Sequence, residues 1–106
     1  MREWSIHPAA QSELEGILEH YLAIDGDLAT DFDRHYRRHR EIICGNPLLY
    51  RIRRFTIRRA NLSPSFGEYY IAYLIWQERV IILAIGHAKR RPYYWRSRVS
   101  EAQKLT

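Results

Sequence analysis

"EYYIAYLIWQERVIILAIG", residues 68–86, is the stretch whose reading decides the fold. Its aromatic and β-branched residues favour extended backbone, and the polar pair Gln77 and Glu78 divides it into two strands. A connection this short allows an antiparallel return and no crossover. The second half, "VIILAIG", offers apolar side chains to both faces. That predicts a central strand covered by helices rather than a sheet with one wet face. The run is far too short to span a bilayer.

Upstream, "YRIRRFTIRR" (residues 50–59) alternates like a strand, with its arginines on the exposed side. "ANLSPSFG" (60–67) breaks it, because Ser63-Pro64 and Gly67 are turn chemistry. Before Pro47 the period changes. "EWSI" (3–6) reads as a short first strand, and Pro8 suits the first position of a helix. Ala10, Leu14, Ile17, Leu18, Tyr21 and Leu22 then form an inward helical stripe, with Glu13, Glu15 and Glu19 on other faces. "IDGD" (24–27) is a turn in which Asp25 or Asp27 can cap a second helix. Leu28, Phe32, His35, Tyr36, His39, Ile42 and Ile43 mark that helix's inner face, and "CGNP" (44–47) ends it. The order gives an α+β domain over residues 1–106: strand, helical hairpin, then a three-stranded antiparallel meander, with the helices on one face of the sheet. Residues 86–106 form a basic and aromatic C-terminal segment.

Charge is sharply divided. Residues 1–33 carry one arginine against eight acids, a local charge of −7, while residues 34–106 carry sixteen cations against four acids, a local charge of +12. Fifteen of the seventeen cations are arginine, which suits phosphate, carboxylate and aromatic partners. Such a surface speeds encounter with RNA, DNA or an acidic protein alike. Cys44 is the only cysteine, so an internal disulfide and a cysteine-rich zinc site are excluded. The N-terminus lacks the apolar core of a secretory signal, and a cytoplasmic protein without membrane contact is expected.

The cations concentrate in "HAKRRPYYWRSR" (87–98), which holds no carboxylate. Metal-free RNA cleavage needs a base, an acid and cations around the phosphate. His87 suits the first role, Arg90 or Arg91 the neutralising one, and Tyr93 or Tyr94 the acid or a stacking platform. Arg53 and Arg58 would complete the cradle, and Arg98 extends the basic surface. The same residues also fit a hydrogen-bonded strand end, a packed aromatic anchor at Pro92 and Trp95, and a solvated arginine face. His35 and His39 stand at zinc-compatible spacing without a third ligand, so neither metal nor cofactor is expected. Cys44 reads as a small apolar filler.

Three stretches, "HPAAQSELEGILEHY", "NPLLYRIRR" and "YYIAYLIWQERVIILAIGHAKRRPYYW", resemble the RelE/ParE superfamily of bacterial type II toxins across most of the chain. The ending His87, Arg90, Pro92, Tyr94, Trp95 and Arg98 is most similar to ParE-like plasmid-stabilisation proteins. "NLSPSFG" departs from the pattern by lengthening a connection, and Ala88 and Tyr93 stand where glycine-like residues are common. The resemblance implies a growth-inhibiting toxin neutralised by a cognate antitoxin, with operator DNA contacted only through that antitoxin. It implies DNA gyrase as target on the ParE-like side, which we favour. On the RelE-like side it implies ribosome-dependent mRNA cleavage, with His87, Arg91 and Tyr94 as the catalytic set. A binding module that has lost toxicity is the third reading. RelE-like clefts favour lysine, and this chain has only Lys89 and Lys104.

Overall fold

A computed structural model describes residues 2–104; Met1, Leu105 and Thr106, at the limits of the expected domain, lie outside the described residues. The elements run β1 (Trp4–Ile6), α1 (Pro8–Ile24), α2 (Gly26–Gly45), β2 (Ile52–Arg54), β3 (Ile57–Leu62), β4 (Phe66–Trp76), β5 (Arg79–His87) and α3 (Arg98–Lys104). The five strands form one sheet in the order β1-β5-β4-β3-β2. β2 to β5 pair antiparallel in succession, while β1 runs parallel to β5, with Trp4 opposite Val80.

The α+β class and the helical hairpin agree with expectation, but the meander has four strands. "YRIRRFTIRR" is not one strand: the chain reverses at Phe55 and Thr56, and Arg54 pairs with Ile57. Phe55 has φ 54°, so the first position of this two-residue turn lies in the left-handed region that tight hairpins demand. The break after β3 is shorter than expected, because Asn61 and Leu62 extend β3 and Phe66 and Gly67 open β4.

The helices are not all on one face. Phe32, Tyr36 and Ile43 of α2 and Ala10 and Leu14 of α1 pack on Ile71, Tyr73, Val80, Ile82 and Ile85. Trp95 and Ala102, from the C-terminal segment and α3, cover Tyr70, Leu74, Ile81 and Leu83 on the other face. This double cover is why seven consecutive residues of β5, Val80 to Gly86, are buried. Leu22 leaves its expected inward stripe and is 64% exposed near the helix turn, and Ile42 sits at the rim.

Caps explain the helix ends. His7 accepts the Ala9 N–H at Nδ1 (3.0 Å), with Pro8 beginning α1. Asp25 is the single residue between α1 and α2; its backbone N–H closes α1 on the Tyr21 carbonyl, and its carboxylate accepts the Asp27 N–H (2.9 Å). Gly45 is the last residue of α2 without a left-handed φ, and Asn46 forms the cap, its backbone N–H bonded to the Ile42 carbonyl.

The β4–β5 turn carries strain. Gln77 and Glu78 have φ of 50° and 64°, the pattern of a type I′ turn usually filled by Asn-Gly. Replacing them with Asn and Gly is expected to stabilise the protein by about 1 kcal/mol, since left-handed backbone costs about 1–2 kcal/mol per ordinary residue. Urea unfolding should show a higher midpoint at unchanged slope. An unmoved midpoint would mean that the turn stores no strain.

Candidate functional site

The C-terminal segment is organised by a carboxylate. Glu13 of α1 is nearly buried, and its Oε1 accepts the backbone N–H of Ile85 (3.1 Å) and Arg98 Nη1 (2.9 Å). Its Oε2 accepts the Tyr94 hydroxyl (2.6 Å), Arg98 Nη2 (3.2 Å) and Arg90 Nη1 (3.2 Å). Arg98 Nη1 also donates to the Leu83 carbonyl (3.0 Å). Leu83 is the extra residue of a bulge, since Ala72 pairs with Ala84 and Tyr73 with Ile82. β1 pairs with β5 only from Val80 to Ile82, so Glu13 and Arg98 bind backbone groups that no neighbouring strand reaches. Glu13 therefore faces inward, contrary to its expected place on another face of the helix.

On the opposite side of the sheet from α1 and α2, Tyr70 and Trp95 form a floor. The indole N–H of Trp95, 2% exposed, donates to the Tyr70 hydroxyl oxygen (3.2 Å). The Tyr70 ring lies directly over Gly86: a Cβ there would stand 2.4 Å from Cζ and 2.6 Å from the hydroxyl. Gly86 is thus required by close approach. The Arg59 guanidinium covers the Tyr70 ring at 3.9 Å, steadied by its Nε–H bond to Asn61 Oδ1 (3.0 Å). Tyr93 meets Trp95 edge-on at 5.7 Å, and Arg54 lies 4.9 Å from its ring centre. Tyr93 has φ 58°, the conformation that a glycine-like residue would adopt without strain.

These groups enclose a cleft of about 230 Å³ lined by Arg53, Arg59 and Arg90, by Tyr70, Tyr93 and Trp95, and by Ala88 and Pro92. Three guanidinium groups and no carboxylate line it. Among the described residues Arg53 has no hydrogen bond or ion pair, whereas Arg90 shares its charge with Glu13 and stacks on Tyr94 at 3.8 Å.

The sequence-predicted residues are distributed as follows. Arg53 and Arg90 line the cleft; Arg58 does not, because it turns toward the helix side and donates to the Tyr50 carbonyl (2.6 Å). Arg98 is engaged by Glu13 and Leu83. Arg91 is exposed and lines neither this cleft nor the hollow at His87. His87 lies on the α1 side, edge-on to Tyr69 at 4.8 Å, in a hollow with Glu13, His20 and Arg90. Its Nδ1 accepts the Lys89 N–H (3.0 Å), which places the proton on Nε2, 3.3 Å from Glu68 Oε2. Tyr94 is tied to Glu13, and its pKa is raised by burial first and then by the carboxylate that accepts its proton. The structure does not bring His87, Arg91 and Tyr94 into one cleft. Sequence reasoning missed Arg59 and Glu13.

Elsewhere, buried His39 donates from Nδ1 to the His35 carbonyl (2.7 Å), and His35 packs edge-on to Phe66. Among the described residues no group of three or more possible ligands could hold a metal. Cys44 is a core residue whose thiol pKa is raised by burial. Burial pushes the Tyr69 and Tyr73 hydroxyls up to about 12, and Tyr73 donates to the Pro47 carbonyl (2.7 Å). Among the described residues no helix is long and apolar enough to cross a membrane.

Comparison with known proteins gives a match to the family described as the ParE toxin of type II toxin-antitoxin system, parDE, over residues 5–92. No curated protein matches the chain. The matched region takes in the helical hairpin, all of β2 to β5 and the cleft-lining residues as far as Pro92. The chain belongs to the ParE toxin family of type II toxin–antitoxin systems.

Proposed function

We propose that this toxin arrests growth in the cytoplasm by binding an essential protein, with DNA gyrase as the target, and that it performs no RNA cleavage. A type II toxin implies a cognate antitoxin, and the excess of arginine on the sheet favours an acidic antitoxin segment over it. The observation that carries the binding reading is that His87 shares only Arg90 with the arginine cleft, while Arg53 and Arg59 stay on the other face of the sheet. A general base must reach the proton it takes while the cations hold the phosphate. Here the imidazole lies on the far side of the sheet with both nitrogens engaged, and the Tyr94 proton is held by Glu13.

His87→Ala is therefore expected to leave growth arrest intact, once its thermal stability is shown to match that of the parent. Purified toxin should inhibit gyrase supercoiling and leave mRNA on translating ribosomes uncut. Lost toxicity at parental stability, accompanied by ribosome-dependent RNA fragments, would overturn the proposal in favour of a nuclease. Loss of a general base costs about 10²- to 10⁴-fold in rate, so the two outcomes are well separated.

A further inference from the structure

We propose that the cleft between Arg53, Arg59 and Arg90 is a binding site for a nucleoside monophosphate unit, its phosphate on the arginines and its base against Pro92 and Tyr93. The proposal goes beyond inhibition of a protein target and does not depend on which target that is.

The charge of the cleft selects the anion. Three guanidinium groups line it, with no acid among them. Glu13 offsets part of the Arg90 charge. Arg53 is uncommitted, and Arg59 uses only its Nε–H on Asn61, so both Nη groups have no hydrogen bond among the described residues. The Tyr70 hydroxyl accepts from Trp95, which leaves its own proton to donate. A single carboxylate, with one charge, under-uses that set. A phosphate monoester carries about −1.5 to −2 charge and three strong acceptor oxygens, which match it.

The walls select what the phosphate is attached to. Pro92, Tyr93 and Trp95 supply an apolar, ring-lined side to the same cleft, which is how planar bases are held without reading their sequence. At about 230 Å³ the cleft is smaller than the roughly 300–1,000 Å³ that enclose a drug-sized ligand. One phosphate and one ring system fit, with the ribose toward solvent. The floor is rigid, because Tyr70 is wedged against Gly86 and bonded to Trp95. No bond is broken: His87 faces the α1 side in the neighbouring hollow and shares only Arg90 with the cleft, so this is a holding site.

The ligand could be a free mononucleotide or the phosphorylated end of a nucleic acid, and titration calorimetry at low salt separates the two. AMP, adenosine, inorganic phosphate, an acidic decapeptide, and an oligonucleotide with and without a 5′-phosphate are titrated into the full chain. AMP should bind one-to-one, at least tenfold tighter than adenosine or inorganic phosphate. The double variant Arg53→Ala/Arg59→Gln should weaken AMP at least tenfold, while Arg38→Ala, which removes a charge from exposed α2 surface, should not. A 5′-phosphorylated oligonucleotide that matches or exceeds AMP, with the same arginine dependence, assigns the site to strand ends; AMP binding alone assigns it to free nucleotide. Three results would overturn the proposal: no saturable AMP binding by the folded protein, equal weakening by Arg38→Ala, or an acidic peptide that displaces AMP at comparable concentration.

Discussion

Glu13→Ala should lower the stability of the protein by about 3 kcal/mol, a large share of what a chain this size holds in reserve. The Glu13 and Arg98 side chains are only 14% and 15% exposed. Removing the carboxylate leaves Arg98 charged and nearly buried, strips the Ile85 N–H of its acceptor and frees the Tyr94 hydroxyl. An uncompensated buried charge costs more than the pair contributed, so the single variants should each be worse than half the double. Glu13→Ala/Arg98→Ala is therefore expected to fall short of the summed single losses by about 2 kcal/mol. Denaturant unfolding of the four proteins in the cycle measures this. Additive losses would reduce the cluster to independent surface contacts.

Trp95→Ala is expected to cost about 3–4 kcal/mol, the range for emptying a buried aromatic site. The indole fills the face of the sheet opposite the helical hairpin, and its N–H holds the Tyr70 hydroxyl that borders the cleft. Trp95→Phe keeps most of the packing and deletes that donor, so it should cost about 1–2 kcal/mol, close to one hydrogen bond plus a small void. A Trp95→Ala protein that unfolds at the parental denaturant midpoint would show that the C-terminal segment is an ornament on a fold complete without it.

Much of this architecture was legible, and the parts that were not share a cause. The helical hairpin could be read because Pro8, Asp25 and "CGNP" mark its ends and its stripes keep helical spacing. The reversal at Phe55 was hidden, since neither Phe55 nor Thr56 is a residue that announces a turn, and alternation continues on both sides of it. β5 did carry the clue to α3: a strand apolar on both faces needs cover on both, and the hairpin supplies one. Which segment supplies the other is a matter of tertiary packing. At the site, the arginines were visible as a class but not as individuals. Arg58 and Arg59 differ by one residue and so face opposite sides of the sheet, and only pairing fixes which. Glu13 had left a trace, because Ala10, Glu13, Leu14 and Ile17 are spaced as one helical face. A carboxylate within an apolar stripe signals a buried partner. The partner, 85 residues away at Arg98, has no local signature.

The parallel pairing of β1 with β5 bears on the order in which the protein can be made. Trp4 waits for Val80, Glu13 for Arg98 and His7 for Glu101, a separation of 94 residues in the last case. A ribosome delivers the N-terminal strand and helix before the groups that hold them, which lie in β5, the C-terminal segment and α3. The α1–α2 hairpin can coil early on its own local contacts, but its apolar face is fully covered only once β3, β4 and β5 have all emerged. Until then the nascent chain carries exposed core. The fold therefore closes only after β5 and the segment through Glu101 have emerged, so its N-terminal elements depend on contacts spanning up to 94 residues.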